Sequence, residues 1–446
     1  MPPVIALLLC IFLIVILFRL DTKRQPHVSG ALWIPLVWML IIGSRFISQW
    51  FGVEPTLTSP DVLLEGSPLD RAIFLALITA GIFVLLRRRI NWAELLRKNK
   101  LLILFLLYCG GSILWSDYPF VSIKRWIKML GNVVMVLVIL TDYDPLEAAK
   151  TVLRRVGFIL VPLSVVLIKY YPDLGRGYNQ WTWKQYYCGV SLEKNGLGAL
   201  SWITGIYFFW SLLALWGKKT YPLSKEILVH VIFLIMIVWL LTMSNSATSL
   251  ITFIAGVSLL LAFRLQIVRA NIGHIGILFL IIAAVVLFLE LSTDFSEVVL
   301  AAVERDDTLT DRIPLWNALL DMSVNPLVGA GYESFWLGER IARVWDTWKG
   351  LNQAHNGYLE TYLNLGIVGL FLLVGVIGSF YVKSKNELIS NFEWGSFRMA
   401  FLLAALLSNI TEATFHGINL VLLIFFLIGV EYHPEKQVKV SGEASP

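Results

Sequence analysis

Two ionisable residues beside an apolar segment are the first places in this sequence where residue type suggests chemistry. His355, followed by Asn356, closes a long polar stretch, and an apolar segment begins at residue 358. An imidazole has a pKa near neutrality and can take a proton from a hydroxyl group. Arg312 lies at the expected first turn of a helix, where a positive charge is unfavourable unless it holds an anion. The pair predicts acid–base chemistry on an anionic substrate. An inert interfacial histidine and an ordinary surface arginine are the alternatives.

The composition places these residues in a membrane protein. Of the 446 residues, 57% are hydrophobic and 15% are charged, with a mean hydropathy of +0.73. Soluble domains carry about 25% charged residues. Cys10, Cys109 and Cys188 are odd in number and lack paired spacing, so neither a disulfide framework nor a metal site is predicted. The formal charge of +5 is modest, and nothing indicates a nucleic-acid partner.

The apolar runs predict an all-α polytopic fold with about 12 to 13 transmembrane helices. The candidate spans are 3–19, 30–48, 71–86, 101–115, 128–141, 156–168, 195–216, 228–243, 246–263, 272–291, 358–382, 399–410 and 416–430. The weakest are short: 128–141, 156–168, 399–410 and 416–430. The first run has no basic residues ahead of it, so we expect a retained span and not a signal peptide.

The positions of Lys and Arg predict how the spans are oriented. With the amino terminus outside and the carboxyl terminus inside, short inner segments hold most of the 36 basic residues, in line with the positive-inside rule. The expected organisation is helices 1–10 over residues 1–291, a large outer loop over 292–357, further helices over 358–432 and an inner tail at 433–446. The unusual polar stretches then lie outside, where ATP is absent, so a substrate must carry its own activation.

The outer loop is expected to contain a helix. Thr310 or Asp311 is a candidate cap. The apolar face comprises Ile313, Leu315, Trp316, Leu319 and Leu320. Asn325-Pro326 is expected to end this helix, and Gly329-Ala330-Gly331 to form a flexible turn. Asp306, Asp307 and Asp311 are interpreted as a solvated cluster and not as a metal site.

These motifs together resemble the O-antigen ligase and polysaccharide polymerase superfamily of bacterial inner-membrane glycosyltransferases. The ligase signature reads here as His355-Asn356, the nine residues GYLETYLNL, Gly366, two residues and Gly369. The stretch RDDTLTDRIPLW resembles the segment that holds the essential arginine of the family, and Arg312 fills that position. Four further segments are similar to the exopolysaccharide polymerase branch: WSDYPFVSIKRWIK, KNGLG, SNSATSL and NITEATF.

The sequence departs from the family pattern at two places. Ser246-Ala247 stands where family ligases often carry an arginine after the serine, so another basic residue must take any such role. Asp311 precedes Arg312 where glycine is usual. Gly366 and Gly369 are interpreted as small residues that let a neighbour pack closely.

The resemblance implies roles for particular residues in a GT-C-like fold. His355 would be the general base, and Arg312 would hold the diphosphate of an undecaprenyl-linked glycan donor. Glu412 would orient a sugar or the imidazole, unless it is a solvated loop charge. Contacts to diphosphate or glycan are expected from Arg125, Lys128, Lys194, Asn195, Arg305 and Asn356. No metal or cofactor is expected, and sugar transfer would invert the configuration.

The resemblance predicts an enzyme of the bacterial inner membrane with its active site facing the periplasm. Polymerisation of exopolysaccharide or O-antigen repeat units is the favoured function. Transfer of the glycan to lipid A-core or another acceptor, by a ligase, is the alternative, and a polysaccharide or lipid transporter is a remote one. The expected partners are the lipid-linked oligosaccharide, a glycan acceptor and membrane lipids, with a chain-length regulator as a further candidate.

Overall fold

The computed structural model describes residues 1–24, 28–52, 66–178, 183–216, 225–274, 276 and 312–432. Within these residues the helices are α1 (Pro3–Arg24), α2 (Trp33–Ile42), α3 (Ile47–Trp50), α4 (Pro68–Arg87), α5 (Trp92–Lys98), α6 (Lys100–Gly111), α7 (Pro119–Leu140), α8 (Pro145–Tyr170), α9 (Pro172–Gly175), α10 (Lys194–Trp216), α11 (Lys225–Ser244), α12 (Ala247–Ala262), α13 (Gln266–Ala270), α14 (Arg312–Leu320), α15 (Glu339–Thr347), α16 (Gly357–Ser390), α17 (Phe392–Thr411) and α18 (Leu420–Gly429). Short 3₁₀ turns cover Gly30–Leu32, Ser112–Trp115 and Ile272–His274. Strands β1 (Arg176–Tyr178) and β2 (Gln185–Tyr187) pair in an antiparallel hairpin.

The predicted fold class is confirmed: the protein is an all-α, multi-pass membrane protein. Six described helices are long and apolar enough to cross a membrane, namely α1, α4, α8, α10, α11 and α16. A seventh crossing results if α5 and the segment Lys100–Trp115, which are bent by 88°, form one broken span. Each predicted span coincides with a described helix except 272–291, most of which lies outside the described residues. The larger predicted number also counts three shorter apolar segments (Gly30–Ile42, Ala247–Ala262 and Leu420–Gly429), the helices α7 and α17, and the run 272–291.

Several predicted spans were too short because a helix does not end where its apolar run ends. The run at 128–141 is the second half of α7, which begins at Pro119 and carries Lys124 and Arg125 in its first turns. The run at 156–168 belongs to α8, whose start is set by the Asp144 cap, since that side chain accepts a hydrogen bond from the Glu147 amide. Proline at the first helical position and a capping carboxylate start helices regardless of hydropathy.

The helices form one extensive apolar core. Contacts join α10 to α11 and α12, α12 to α17, and α17 to α16. Helix α7 contacts both α4 and α18. Large side chains such as Trp202, Tyr207 and Phe401 are buried between them. Burying about 150–250 Å² per aromatic side chain makes these residues a principal source of packing energy.

The described part of the large loop has a small core of its own. Buried apolar side chains from α14, the segment before α15, α15 itself and the start of α16 pack together, among them Leu315, Phe335, Trp336, Ile341 and Leu363. Of the predicted face of α14, Leu319 is also buried, whereas Leu320 is 53% exposed. This core fixes α14 against the first turns of α16.

The prediction that Asn325-Pro326 ends the loop helix is wrong. Helix α14 ends at Leu320, before these residues. The Asn325 side chain instead accepts the backbone amide of Leu327 at 2.9 Å, so it organises the next segment. The proposed caps Thr310 and Asp311 lie outside the described residues.

Candidate functional site

His355 lies immediately before helix α16 in an unusual backbone conformation. Its φ is +49°, in the left-handed region that non-glycine residues seldom occupy. The next residue, Asn356, caps α16, because its side-chain oxygen accepts the amides of Tyr358 and Leu359 at 3.0 and 3.1 Å. The carboxamide oxygen of Asn356 is therefore used by the helix cap. Backbone strain of this kind persists where the surroundings impose it, and it is frequent at functional sites.

The loop that carries His355 is held by buried hydrogen bonds. Glu360, whose side chain is 1% exposed, accepts the Ala354 amide at 2.9 Å and the Trp336 indole at 2.6 Å. The Trp316 indole donates to the Ala354 carbonyl at 2.8 Å and so connects α14 to the residue before His355. The backbone N–H and the backbone C=O of Ala354 are therefore both hydrogen-bonded, and this fixes the position of the next residue, His355.

Glycine is required where the loop meets α16. The helix is interrupted at Gly366, with φ +66° and ψ −168°. Backbone hydrogen bonds join residues 326–331 to the interruption, including Ala330 N to Leu363 O and Ile367 N to Pro326 O. A Cβ on Gly366 would lie 2.2 Å from the Leu327 carbonyl carbon. Close packing was expected here, but the neighbour is the backbone of a loop and not another helix.

Glu412, at the end of α17, is the centre of the candidate site. Its Oε2 lies 3.3 Å from Nδ1 of His355, and its Oε1 accepts a hydrogen bond from Nδ2 of Asn195 at 2.8 Å. The Arg312 guanidinium lies 3.7 Å from the same Oε1 and donates to the Thr411 carbonyl at 3.0 Å. Four predicted site residues, from four separate segments, are thus brought together.

The electrostatics of this cluster are those of a partly dehydrated site. The side chains of His355, Glu412 and Arg312 are 21%, 16% and 15% exposed. Burial lowers the pKa of Arg312, and the nearby Glu412 carboxylate opposes that effect. Coulomb interactions are stronger here than in bulk water, so an anionic substrate would be held more firmly.

Glu193 is a member of the cluster that the sequence did not reveal. Burial raises the pKa of the Glu193 carboxyl; His355 opposes the shift, and the Glu412 charge adds to it. Its only sequence signal was its position directly before the KNGLG motif.

The other predicted basic residues do not all join this cluster. Lys194 begins α10, next to Asn195, whereas Arg305 lies outside the described residues. Arg125 contacts Glu333 instead of Glu412, with 4.0 Å between Nε and Oε2 and a further hydrogen bond to the Glu333 carbonyl. Lys128 lies over the Phe74 ring, 5.8 Å from its centre. Arg125 therefore has a different carboxylate partner from Arg312, and the expected contact of Arg125 and Lys128 with diphosphate or glycan stays a prediction.

Glu333 organises a second buried cluster, which the sequence analysis missed. It is 6% exposed and has a φ of +50°. Its Oε1 accepts the Gly417 amide at 2.7 Å and lies 3.8 Å from Nδ1 of His416. Burial alone would raise the pKa of Glu333, but His416, Arg125 and the hydrogen-bond donors outweigh it and hold the pKa below its ordinary value. The signal that could have found this cluster was His416 at the end of NITEATFH.

No group of three or more His, Cys, Asp or Glu side chains arranged to hold a metal ion occurs in the described part of the chain. Asp306, Asp307 and Asp311 lie outside that part. Independence from metal accordingly stays a prediction.

The structure thus describes a multi-pass helical membrane protein in which an imidazole, a carboxylate and a guanidinium meet in one partly buried cluster. Residues 231–374 match the family model Wzy_C, described as O-antigen ligase. That range contains both Arg312 and His355. The resemblance found in the sequence is confirmed as a similarity: residues 231–374 of this chain are similar to the O-antigen ligase family.

Two relatives are similar over longer stretches. The exopolysaccharide production protein ExoQ of Rhizobium meliloti is 25% identical over 299 residues, which cover 64% of this chain and 65% of that protein. The aligned part is thus just under two thirds of that relative's length. A putative polysaccharide ligase of Rickettsia felis is 25% identical over 336 residues, which cover 71% of this chain and 76% of that protein.

Proposed function

We propose that this protein is a glycosyltransferase that polymerises polysaccharide repeat units at the outer face of the bacterial inner membrane. The observation that carries the proposal is the convergence of His355, Glu412 and Arg312 in a chain that is similar to the O-antigen ligase family over residues 231–374. The donor is a glycan on undecaprenyl diphosphate. The distribution of basic residues supports an outer active site, with the amino terminus periplasmic and the carboxyl terminus cytoplasmic.

The contact between His355 and Glu412 prepares the imidazole to act as a base. An ionised carboxylate only accepts hydrogen bonds, so Nδ1 of His355 carries the proton that faces Glu412. The other ring nitrogen, Nε2, is then left as an acceptor and can take the proton of a sugar hydroxyl. Glu412 acts as a positioning residue that fixes the tautomer and stabilises the imidazolium that forms.

The transfer exchanges one C–O bond for another. The acceptor oxygen attacks the anomeric carbon of the donor glycan from the face opposite the diphosphate, while its proton passes to His355. The bond from the anomeric carbon to the diphosphate oxygen breaks, and undecaprenyl diphosphate leaves with the electron pair. Configuration at that carbon inverts. No cofactor takes part in this scheme.

Arg312 stabilises the charge that develops on the leaving diphosphate. Its planar guanidinium can donate two parallel hydrogen bonds to phosphate oxygens. At 3.7 Å, its ion pair with Glu412 is long for a direct hydrogen bond, so a diphosphate can compete for the guanidinium. Asn195, which donates to Glu412, keeps that carboxylate in place when Arg312 turns to the substrate.

The test is turnover of a lipid-linked oligosaccharide by purified protein. Wild type should lengthen the glycan, and His355→Ala or Arg312→Ala should reduce product by roughly 10²–10⁴-fold while membrane insertion is preserved. Near-normal turnover in either variant would overturn the site. A transporter would leave every glycosidic bond intact.

A ligase is the second candidate, favoured by the description of the family model and by the name of the Rickettsia relative. The name of the Rhizobium relative favours a role in exopolysaccharide production instead. Deletion of the gene distinguishes the two. Single repeat units on the carrier lipid indicate a polymerase, whereas long chains that accumulate on the carrier indicate a ligase.

A further inference from the structure

Asn409 is a buried side chain that contacts both segments of the candidate active site. It begins the NITEATF segment and has no part in the transfer scheme above. It lies in the last turn of α17, three residues before Glu412, and is 0% exposed. Its carboxamide contacts the turn that carries Glu412 and also the start of α16, directly after His355.

The side-chain oxygen of Asn409 closes the turn that carries Glu412. Its Oδ1 accepts hydrogen bonds from the Thr414 hydroxyl and from the Phe415 amide, both at 3.0 Å. Glu412 lies between Asn409 and these donors in the chain, and its own amide donates to the Ser408 carbonyl at 2.9 Å. The chain is therefore held on both sides of Glu412. Removal of Oδ1 would leave two donors without this acceptor and would favour a different turn.

The same carboxamide packs against Gly357, the first residue of α16. A Cβ on Gly357 would lie 1.9 Å from Oδ1 of Asn409, 2.5 Å from its Cγ and 2.6 Å from its Nδ2. These distances are too short for any side chain, so glycine is required for the contact. Gly357 lies within a helix and its φ is not in the left-handed region, and alanine is otherwise favourable in helices. The requirement therefore comes from Asn409 and not from the backbone of Gly357.

The contact between Asn409 and Gly357 joins the two segments that bear the catalytic pair. Gly357 is two residues after His355, and Asn409 is three residues before Glu412. Nδ1 of His355 and Oε2 of Glu412 are 3.3 Å apart, so a small shift of either segment would break their hydrogen bond. A misplacement of about 1 Å can lower the rate of an enzyme about 100-fold.

We propose that Asn409 is a positioning residue that sets the alignment of Glu412 with His355. The inference rests on the proposed function, in which His355 is the base and Glu412 fixes its tautomer. Asn409 acts at a distance from the reacting atoms, through the turn at 409–415 on one side and through Gly357 on the other. Its loss should therefore lower the turnover number more than it changes the binding of substrate.

The first test measures steady-state turnover of a lipid-linked oligosaccharide by purified full-length variants, expressed per folded molecule. Asn409→Ala should lower kcat about 100-fold and change KM by less than about threefold. The double variant Asn409→Ala/Glu412→Gln should be no slower than Glu412→Gln alone, because a residue that acts through Glu412 has no further effect once that carboxylate is gone. The matched control is Asn132→Ala. Asn132 is also 0% exposed and accepts one hydrogen bond, from the Trp38 indole at 2.8 Å, so its loss should lower stability and leave kcat unchanged.

A second test approaches the contact from the other side and does not require Asn409 to be changed. Gly357→Ala should also lower kcat about 100-fold, because the new Cβ displaces the carboxamide. Gly378→Ala, at an open position of the same helix, should be neutral. Alanine at 409 removes all three atoms that the new Cβ would meet. The losses in Gly357→Ala/Asn409→Ala should therefore not multiply, whereas two independent defects would give a loss of about 10⁴-fold.

Three results would overturn the inference. Asn409→Ala could keep the wild-type kcat. Its loss could multiply with that of Glu412→Gln, which would show that it acts by another route. Gly357→Ala could be as active as Gly378→Ala. All three are compatible with a wild-type enzyme that lengthens the glycan and an inactive His355→Ala variant, so the proposed function is tested separately.

Discussion

Nδ1 of His355 lies 3.3 Å from Oε2 of Glu412, although 57 residues separate them in the chain. His355 is placed by the start of α16, and Glu412 by the end of α17, two helices that pack along each other. The alignment of the imidazole therefore depends on helix packing as well as on the loop. Asn195 and Arg312 approach the same carboxylate from α10 and α14.

Glu412→Gln should test the positioning role of this carboxylate. Glutamine keeps the size of the side chain and a hydrogen-bond acceptor but loses the charge that fixes the tautomer and stabilises imidazolium. We expect the turnover number to fall by about 10²–10⁴-fold with a small change in KM. Asp346→Asn makes the same change, from carboxylate to carboxamide, on α15. This control should leave the turnover number unchanged. Full activity of Glu412→Gln would mean that His355 works without it.

Arg312→Lys should show whether Arg312 acts through its positive charge alone or also through the planar shape of its guanidinium. Lysine keeps the positive charge but cannot donate the two parallel hydrogen bonds that match a phosphate. We expect activity between wild type and Arg312→Ala, with a loss of roughly 10- to 100-fold in kcat/KM. If the lysine variant equals wild type, Arg312 acts only as a point charge. If it equals the alanine variant, the planar fork is essential.

Gly366→Ala should destabilise the protein because it combines a left-handed backbone with a steric clash. The new Cβ would lie 2.2 Å from the Leu327 carbonyl carbon. We expect a loss of more than about 2 kcal/mol, seen as a lower thermal midpoint in detergent. Gly378→Ala on the same helix is the matched control, since nothing lies within 4 Å of its Cβ position. Equal midpoints for the two variants would contradict the interruption at Gly366.

The ionisation of Glu333 and that of Glu193 should affect the stability of the fold in opposite directions as pH changes. The pKa of Glu333 is lowered, so its ionised form stabilises the fold above the ordinary glutamate range, and this stability is lost as pH falls through the lowered pKa. Glu333→Gln should therefore lower the thermal midpoint near neutral pH and differ less from wild type in acid.

The pKa of Glu193 is raised, so the protonated form is favoured in the folded protein and ionisation costs stability as pH rises through the raised pKa. Glu193→Gln should raise the midpoint near neutral pH, and the gain should vanish in acid. The measurement is thermal unfolding of both variants and wild type across this pH range. The same sign for both variants would show that the two carboxyl environments are alike.

Turnover should not need a divalent metal, because His355 and Arg312 supply the base and the charge stabilisation. We expect purified protein to keep its rate in the presence of EDTA. A loss of activity that Mg²⁺ or Mn²⁺ restores would add a metal to the mechanism and would direct attention to the aspartates at 306, 307 and 311.

Local features of the sequence were sufficient to predict the fold class, the positions of most helices and four members of the candidate site. Hydropathy reports membrane helices directly, because a bilayer requires long apolar segments with internally bonded backbones. His355, Arg312, Asn195 and Glu412 were identified because each lies in a short motif. Helix ends were predicted less well, since Pro119 and the Asp144 cap begin helices in polar sequence.

The sequence by itself determined that this protein is a helical membrane protein with an ionisable group beside a span, because these properties depend on residue type and short spacing. Only the tertiary structure decided which charges meet. Arg125 pairs with Glu333, and Glu412 contacts the His355 imidazole, through contacts between segments far apart in the chain. The physical reason is that pairing energies depend on distance and burial, and both are set by how the helices pack.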